Sequence, residues 1–237
     1  MQTPDDAARI IGMGAEADRV AVAGNIKHDA VAAGEPKPSR GDIRRRLQVD
    51  DATLLFIAAS TRPGEEEIIL QALSQVAGFP DKVYCLLAPR HLERLDEVKV
   101  VLEQHHLDYE LYSAIEAGSG RKAPVILMDK MGVLAELFYG ADLAFVGGTL
   151  ADVGGHNVME PVVAGAPVLF GPSLANVRQA ADDILAKNMG MMVADAASIA
   201  GAINRFASGK LRFHKYSGNG STVASDSAAV IIREMGL

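Results

Sequence analysis

The stretch FVGGTLADVGGHNVMEPVVAGAPVLFGP, running from Phe145 to Pro172, decides the fold. It opens at the end of an apolar run, Leu143 to Val146, of the kind that forms a buried strand. Gly147-Gly148 and Gly154-Gly155 follow, and His156-Asn157-Val158-Met159-Glu160-Pro161 reads as a helix start. Val168 to Phe170 is a second apolar strand, stopped by Gly171-Pro172. Strand, glycine loop, helix N-terminus and strand is an arrangement that turns backbone N–H groups towards an anionic ligand. The glycines alone fit equally well a tight turn with close helix packing. His156, Asn157 and Glu160 within five residues between two strands favour a site, because loops on rigid scaffolds carry function. Glu160 is placed to accept hydrogen bonds from sugar hydroxyls.

Outward from that stretch, apolar runs at 19–23, 54–58, 83–88, 125–128 and 191–194 alternate with helical segments, and 109–112 reads as one more short strand. Helices are predicted over 5–11, 42–47, 65–76, 92–106, 131–139, 176–188, 198–207 and 221–235, with Asp42 as the cap of the second. Residues 30–41 read as a connector. The pattern is that of an α/β fold: a Rossmann-like parallel sheet covered by helices. No Gly-x-Gly-x-x-Gly follows the first strand, and no Gly-x-x-x-x-Gly-Lys-Ser/Thr is present, so the nicotinamide fingerprint and the P-loop are both missing. No Gly-x-Ser-x-Gly elbow supports a serine hydrolase.

Composition narrows the partners. A chain of 237 residues, 49% hydrophobic and 22% charged, is long enough to bury a sizeable core. A net charge of -7 without a long basic run argues against nucleic acid, and aromatics at 5% leave no platform for base stacking. Arg44-Arg45-Arg46 reads as a solvated helix face, and Glu65-Glu66-Glu67 as helix-start chemistry rather than a metal site. The single cysteine, Cys85, reads as a buried thiol. No apolar run approaches a membrane span and no signal peptide opens the chain, so a cytoplasmic location is expected. Ala117 to Lys122 reads as a mobile surface loop.

The loops leaving successive strands fall on the carboxyl edge of such a sheet, where ligands bind. They supply Ser60-Thr61-Arg62, Pro89-Arg90-His91, Met131-Gly132, and Gly155-His156-Asn157 with Glu160. Arg90, delivered straight from a buried strand, suits a phosphate, unless it pairs with a nearby carboxylate. His91 and His156 invite a general-base reading, yet neither has a nucleophile beside it in sequence, and His156 reads better as a positioning residue.

Taken in order, Gly24-Asn25-Ile26-Lys27, Ser60-Thr61 with Gly64-Glu65-Glu66, Pro89-Arg90-His91, Met131-Gly132, Phe145-Val146-Gly147-Gly148 and Gly154-Gly155-His156-Asn157-x-x-Glu160-Pro161 resemble a known family. They look like the C-terminal half of 3-deoxy-D-manno-octulosonic acid (Kdo) transferases, glycosyltransferases of the GT-B fold. The resemblance covers about Gln2 to Met192. It implies a donor domain binding CMP-Kdo, with residues 1–18 as the segment entering the interdomain crossing and 19–237 as the Rossmann-like donor-binding domain.

The N-terminal acceptor domain, with the carboxylate base, the groove for the lipid A precursor and the membrane-proximal surface, would be absent from this chain. The chain alone would then be inactive, and the parent would work at the cytoplasmic face of the inner membrane. The implied donor-binding residues are Lys27, Ser60, Thr61, Arg90, His91, Met131, Gly132, Gly155, His156, Asn157 and Glu160. Arg90 and the N–H groups around Gly155 to Val158 would meet the phosphate, Glu160 the ribose, and Ser60 and Lys27 the phosphate or sugar carboxylate. No cofactor is implied, and a leaving phosphate met in this way is served without a divalent metal. Val133, where the family usually has Glu, Ala59, where it tends to have Gly, and His28, often aromatic, depart from the pattern. The residues themselves leave open another GT-B transferase, a UDP-sugar epimerase, or a non-catalytic nucleotide-binding module.

Overall fold

The computed structural model describes residues 4–22 and 37–216. Lys37–Tyr216 is one compact unit, and it carries the whole sheet. Strands β1 (Leu54–Thr61), β2 (Val83–Pro89), β3 (Tyr109–Leu111), β4 (Val125–Leu127), β5 (Leu143–Val146), β6 (Val168–Phe170) and β7 (Gly190–Met192) lie in the order β3-β4-β2-β1-β5-β6-β7. Every pairing is parallel. From β1 the chain works outward on one side through β2, then crosses to β5 on the other. The switch of direction leaves a crevice between the carboxyl ends of β1 and β5.

Parallel strands are buried on both faces, which is why these runs are continuously apolar. Leu55, Ile57 and Ala59 of β1 face one layer, with Ile43 and Leu47 around helix α2 (Arg40–Arg46), Tyr112 and Ile115 of α5 (Tyr112–Glu116), and Phe138. Phe56 and Ala58 face the other. There they meet Ile69, Leu70 and Leu73 of α3 (Glu65–Leu73), Val98 and Leu102 of α4 (Leu95–Gln104), and Ile199 and Ile203 of α9 (Ala196–Ala207). Each such fully buried Leu, Ile or Phe contributes roughly 1.5–3 kcal/mol. Helix α6 (Leu134–Leu137) follows β4. Helices α7 (Met159–Val163) and α8 (Arg178–Ala186) enclose a third cluster with Val146, Val168 and Phe170. Cys85 is a free thiol in the core, and burial pushes its pKa up to about 12.

The amino edge of the sheet is tied together by Arg44, which is 2% exposed. Its Nη1 donates to Gly140 O and Asp142 Oδ2 at 3.0 Å each, and Nη2 donates to the carbonyls of Asp50 and Thr53. Asp142 in turn accepts from Leu55 N at 2.8 Å. The solvated face expected for Arg44-Arg45-Arg46 is therefore wrong at its first member. A short helix that docks two turns of chain against β1 needs one cation inside to satisfy four carbonyl and carboxylate oxygens. Two smaller expectations also change. Ser39, not Asp42, caps α2, its hydroxyl accepting from Asp42 N at 3.1 Å. The loop 117–122 is pinned rather than loose: Gln48 Nε2 donates to Ser119 O at 2.8 Å, and Arg121 stacks over Tyr84 at 3.7 Å.

The second unit is Met1–Pro36 with Ser217–Leu237, and its described part is residues 4–22. It holds α1 (Pro4–Gly12) and a 3-10 turn at Ala17–Arg19. The strand expected at 19–23 therefore does not join the sheet over its described residues. Lys27, His28 and the helix expected at 221–235 lie outside the described residues. Among the described residues no helix is long and apolar enough to cross a membrane.

Candidate functional site

At the switch point the carboxyl ends of β1 and β5 lead into a cavity of about 210 Å³, lined by Ala59, Ser60, Arg90, Phe138, Val146, His156, Asn157 and Glu160. Ser60 is a bulge at the end of β1, where the pairing with β2 slips between Ala59 and Thr61. Its φ of 54° is left-handed, a conformation a serine holds only where the surroundings dictate it. The bulge aims Ser60 into the cavity and turns Thr61 inward. Thr61, expected among the donor contacts, is fully buried and outside the cavity lining, its hydroxyl donating to Glu66 Oε1 at 2.8 Å. Glu66 is also gripped by Arg94 at 2.8 and 3.2 Å, a bidentate pair behind the site.

The glycine loop is held by a carboxylate from below. Glu65, 1% exposed, accepts from the N–H groups of Arg62 and Gly148 through Oε2, and from those of Thr149, Leu150 and Ala151 through Oε1, at 2.8–3.1 Å. The N–H of Gly155 donates to Gly148 O at 2.7 Å, and that of His156 to Gly147 O at 3.2 Å. Two of the N–H groups expected to meet a phosphate thus close the loop on itself. Gly155 is required by packing: its φ is +89°, and a Cβ there would lie 2.6 Å from Val177 Cγ2. Met131 and Gly132 stand on the loop after β4, exposed and outside the cavity lining.

The side chains that do converge form a cationic rim with one carboxylate inside. Arg90 follows β2, its N–H tied to Thr61 O at 3.0 Å, and among the described residues its guanidinium has no hydrogen-bond or ion-pair partner. The salt bridge that would have made Arg90 structural is not formed there. Arg62 Nε donates to His156 Nε2 and Arg62 Nη1 to His91 Nε2, each at 3.0 Å. Arg62 stood among the candidate loops but not among the implied donor contacts, and nothing in its sequence position signals that it bridges two loops. Burial, then Arg62, Arg90 and His91, lower the His156 pKa to about 4, so the ring is neutral at pH 7. That removes it as a proton acceptor of useful strength.

Glu160, in the first turn of α7, accepts from Asn157 Nδ2 at 3.0 Å. Burial raises its pKa, against the lowering influence of Asn157 and Arg90. Asn157 Oδ1 accepts from Met159 N at 3.1 Å just ahead of α7, whose N-cap Val158 has no side-chain cap, and Glu160 accepts from no backbone N–H among the described residues. Glu160 is therefore free of capping duty and faces the cavity as an acceptor. Among the described residues no group of three or more His, Cys, Asp or Glu is disposed to hold a metal ion.

A parallel doubly wound sheet with a polar, cation-rimmed crevice at its switch point defines a Rossmann-type domain of the GT-B class. No family profile matches the chain. It is 35% identical over 202 residues to a 3-deoxy-D-manno-octulosonic acid transferase of Bordetella pertussis, covering 82% of this chain and 45% of that one. It is also 35% identical over 204 residues to a bifunctional glycosyltransferase/methyltransferase of Fusobacterium nucleatum, covering 86% and 31%. In structure it is similar to the C-terminal CMP-Kdo binding domain of WaaA from Acinetobacter baumannii. That match has a TM-score of 0.63 and 26% identity, covering 80% of this chain and 98% of that domain. The chain thus matches Kdo transferases over part of their length in sequence, and a C-terminal CMP-Kdo binding domain in structure. It spans less than half the length of these curated relatives.

Proposed function

We propose that this chain binds CMP-Kdo, as the donor half of a transferase that moves Kdo onto a lipid A precursor. The observation that carries the reading is Arg90, a cation with no partner among the described residues, at a switch-point cavity that also holds Glu160. A CMP-sugar with an acidic sugar brings a phosphodiester and a carboxylate, two anions, together with ribose hydroxyls. Arg90 supplies a planar donor for the phosphate, and Glu160 an acceptor for the hydroxyls. When the bond from the anomeric carbon to the phosphate oxygen breaks, charge grows on that oxygen, and a fixed guanidinium beside it lowers the barrier. Ser60, His156 and Asn157 complete the lining, with His91 held at the rim by Arg62; Met131 and Gly132 belong to the same reading as outer contacts, and Lys27 as a contact for the phosphate or sugar carboxylate.

On this reading residues 1–18 enter the crossing to an acceptor domain, 19–237 form the donor domain, and the complete protein works at the cytoplasmic face of the inner membrane. Calorimetric titration with CMP and with UDP tests the donor. CMP should bind, and UDP at least about tenfold more weakly, a difference of about 1.4 kcal/mol. Equal or tighter binding of UDP would move the chain to the UDP-sugar enzymes, and no binding of CMP would end the reading.

A further inference from the structure

One guanidinium touches two imidazoles at the rim of the cavity, and the chemistry of those contacts fixes more than position. Arginine has only donors, so a ring nitrogen that meets it must present its lone pair. His156 Nε2 and His91 Nε2 both meet Arg62, at 3.0 Å. With that lone pair committed, the proton of each neutral ring lies on Nδ1. His156 is further held by Gly148, whose φ is +70° and where a Cβ would lie 3.0 Å from His156 Cδ2.

We propose that Arg62 is a positioning residue of the donor site, locking His156 and His91 in the Nδ1–H tautomer so that His156 meets a ligand as an uncharged donor, neither acid nor base. The role assigned to the ligand rests on the donor-site reading above; the lock itself is a property of the free protein. The groups around His156 are Arg62 on the loop after β1, Arg90 and His91 on the loop after β2, Glu160 on α7, and Glu65 behind the glycine loop. The first three oppose its protonation, in keeping with its lowered pKa. An unlocked ring would gain a proton on Nε2, lose its acceptor character there, and add charge to the rim as pH falls.

The test is two-bond 15N–1H correlation spectroscopy of the free chain with labelled histidine, on wild type, Arg62→Ala and Arg62→Lys. His156 is assigned by its loss in His156→Gln. Wild type should show His156 as the Nδ1–H form from pH 8 to 5. Arg62→Ala should show mixed tautomers, with a titration midpoint moved up from about 4 towards the ordinary 6.5. Arg62→Lys, whose ammonium reaches one ring at a time, should fall between the two. An Nε2–H signal in wild type, or an unchanged tautomer and midpoint in Arg62→Ala, overturns the lock. CMP titrations run in parallel at pH 5.5 and 7.5 read the ligand side. A pH-dependent affinity in Arg62→Ala that wild type lacks supports the role in binding, and identical pH profiles overturn that role. Absence of CMP binding in every variant, with the tautomer shift intact, sinks the donor reading while upholding the lock.

Discussion

Glu65 and Glu160 lie on the same edge of the same sheet, each in the first turn of a helix, and the protein treats them in opposite ways. Glu65 is sealed in and accepts from five backbone N–H groups, stapling the loop after β1 to the loop after β5 across the switch point. Glu160 has the Asn157 amide as its partner among the described residues, and burial holds its pKa above the ordinary value. A carboxylate with every lone pair met is architecture. One that is desolvated and left short of donors, beside an Arg90 guanidinium without a hydrogen-bond or ion-pair partner among the described residues, stores acceptor capacity for something that arrives later. The difference is one of satisfaction, and neither residue type nor helix position reveals it.

The largest way to break this comparison is Glu65→Ala. It orphans five N–H groups in a buried loop, each costing about 1–3 kcal/mol where water cannot reach. Some will rehydrate, so the expected loss in urea unfolding is about 4 kcal/mol or more, at the extreme of single substitutions. A loss under about 1 kcal/mol would show that the loop holds its shape without the staple. CMP affinity should fall with it, because Arg62 N is one of the five donors.

Removing groups from the other side of the comparison should do the reverse. Arg90→Gln and Glu160→Gln each delete a charged partner for a ligand group, worth about 1.5–3 kcal/mol, hence about a tenfold to hundredfold rise in the Kd for CMP. Unfolding free energy should stay within about 0.5 kcal/mol for Arg90→Gln, as for surface substitutions free of structural contacts. Unchanged CMP affinity with a fall in stability would reassign either residue to the fold.

The strands were legible because β1, β2, β4, β5 and β6 each carry an apolar run, and the observed 143–146 and 168–170 agree with the expected bounds. Ser60, Arg90, His156, Asn157 and Glu160 were legible as a group because each follows the carboxyl end of a strand. What failed did so where a partner far along the chain decides. The sheet order depends on pairings such as Phe56 with Leu143, 87 residues away, which local pattern cannot supply. Arg44 looked solvated because the groups that meet its charge, Asp142 and the Gly140 carbonyl, come about a hundred residues later. Thr61 looked available because a bulge at a non-glycine residue leaves no mark in composition. Glu65 and Glu66 looked like helix-start charges, and they are, but the glycine loop and Arg94 claim their oxygens.

The smallest effect sharpens the contrast most, since it asks whether Glu160 costs the fold anything. Its pKa in the folded chain lies above the usual glutamate value of 4.5. The folded state therefore holds the proton more tightly than the unfolded state does. Its contribution to stability is greatest below the unfolded value and is lost as pH rises through the folded one. A glutamine side chain never ionises, so the Glu160→Gln variant should match wild type near pH 4 and become the more stable of the two at pH 7, by about 0.5 kcal/mol or somewhat more. His156 runs the other way: with its pKa lowered from 6.5 to about 4, it withdraws stability as pH falls through that window. Because both chains carry His156, its slope cancels in the difference between them. Urea unfolding of the pair at pH 4, 5.5 and 7 isolates Glu160. A variant less stable than wild type at pH 7 would mean that Glu160 is satisfied in the free protein after all, and the two carboxylates would then differ in degree and not in kind.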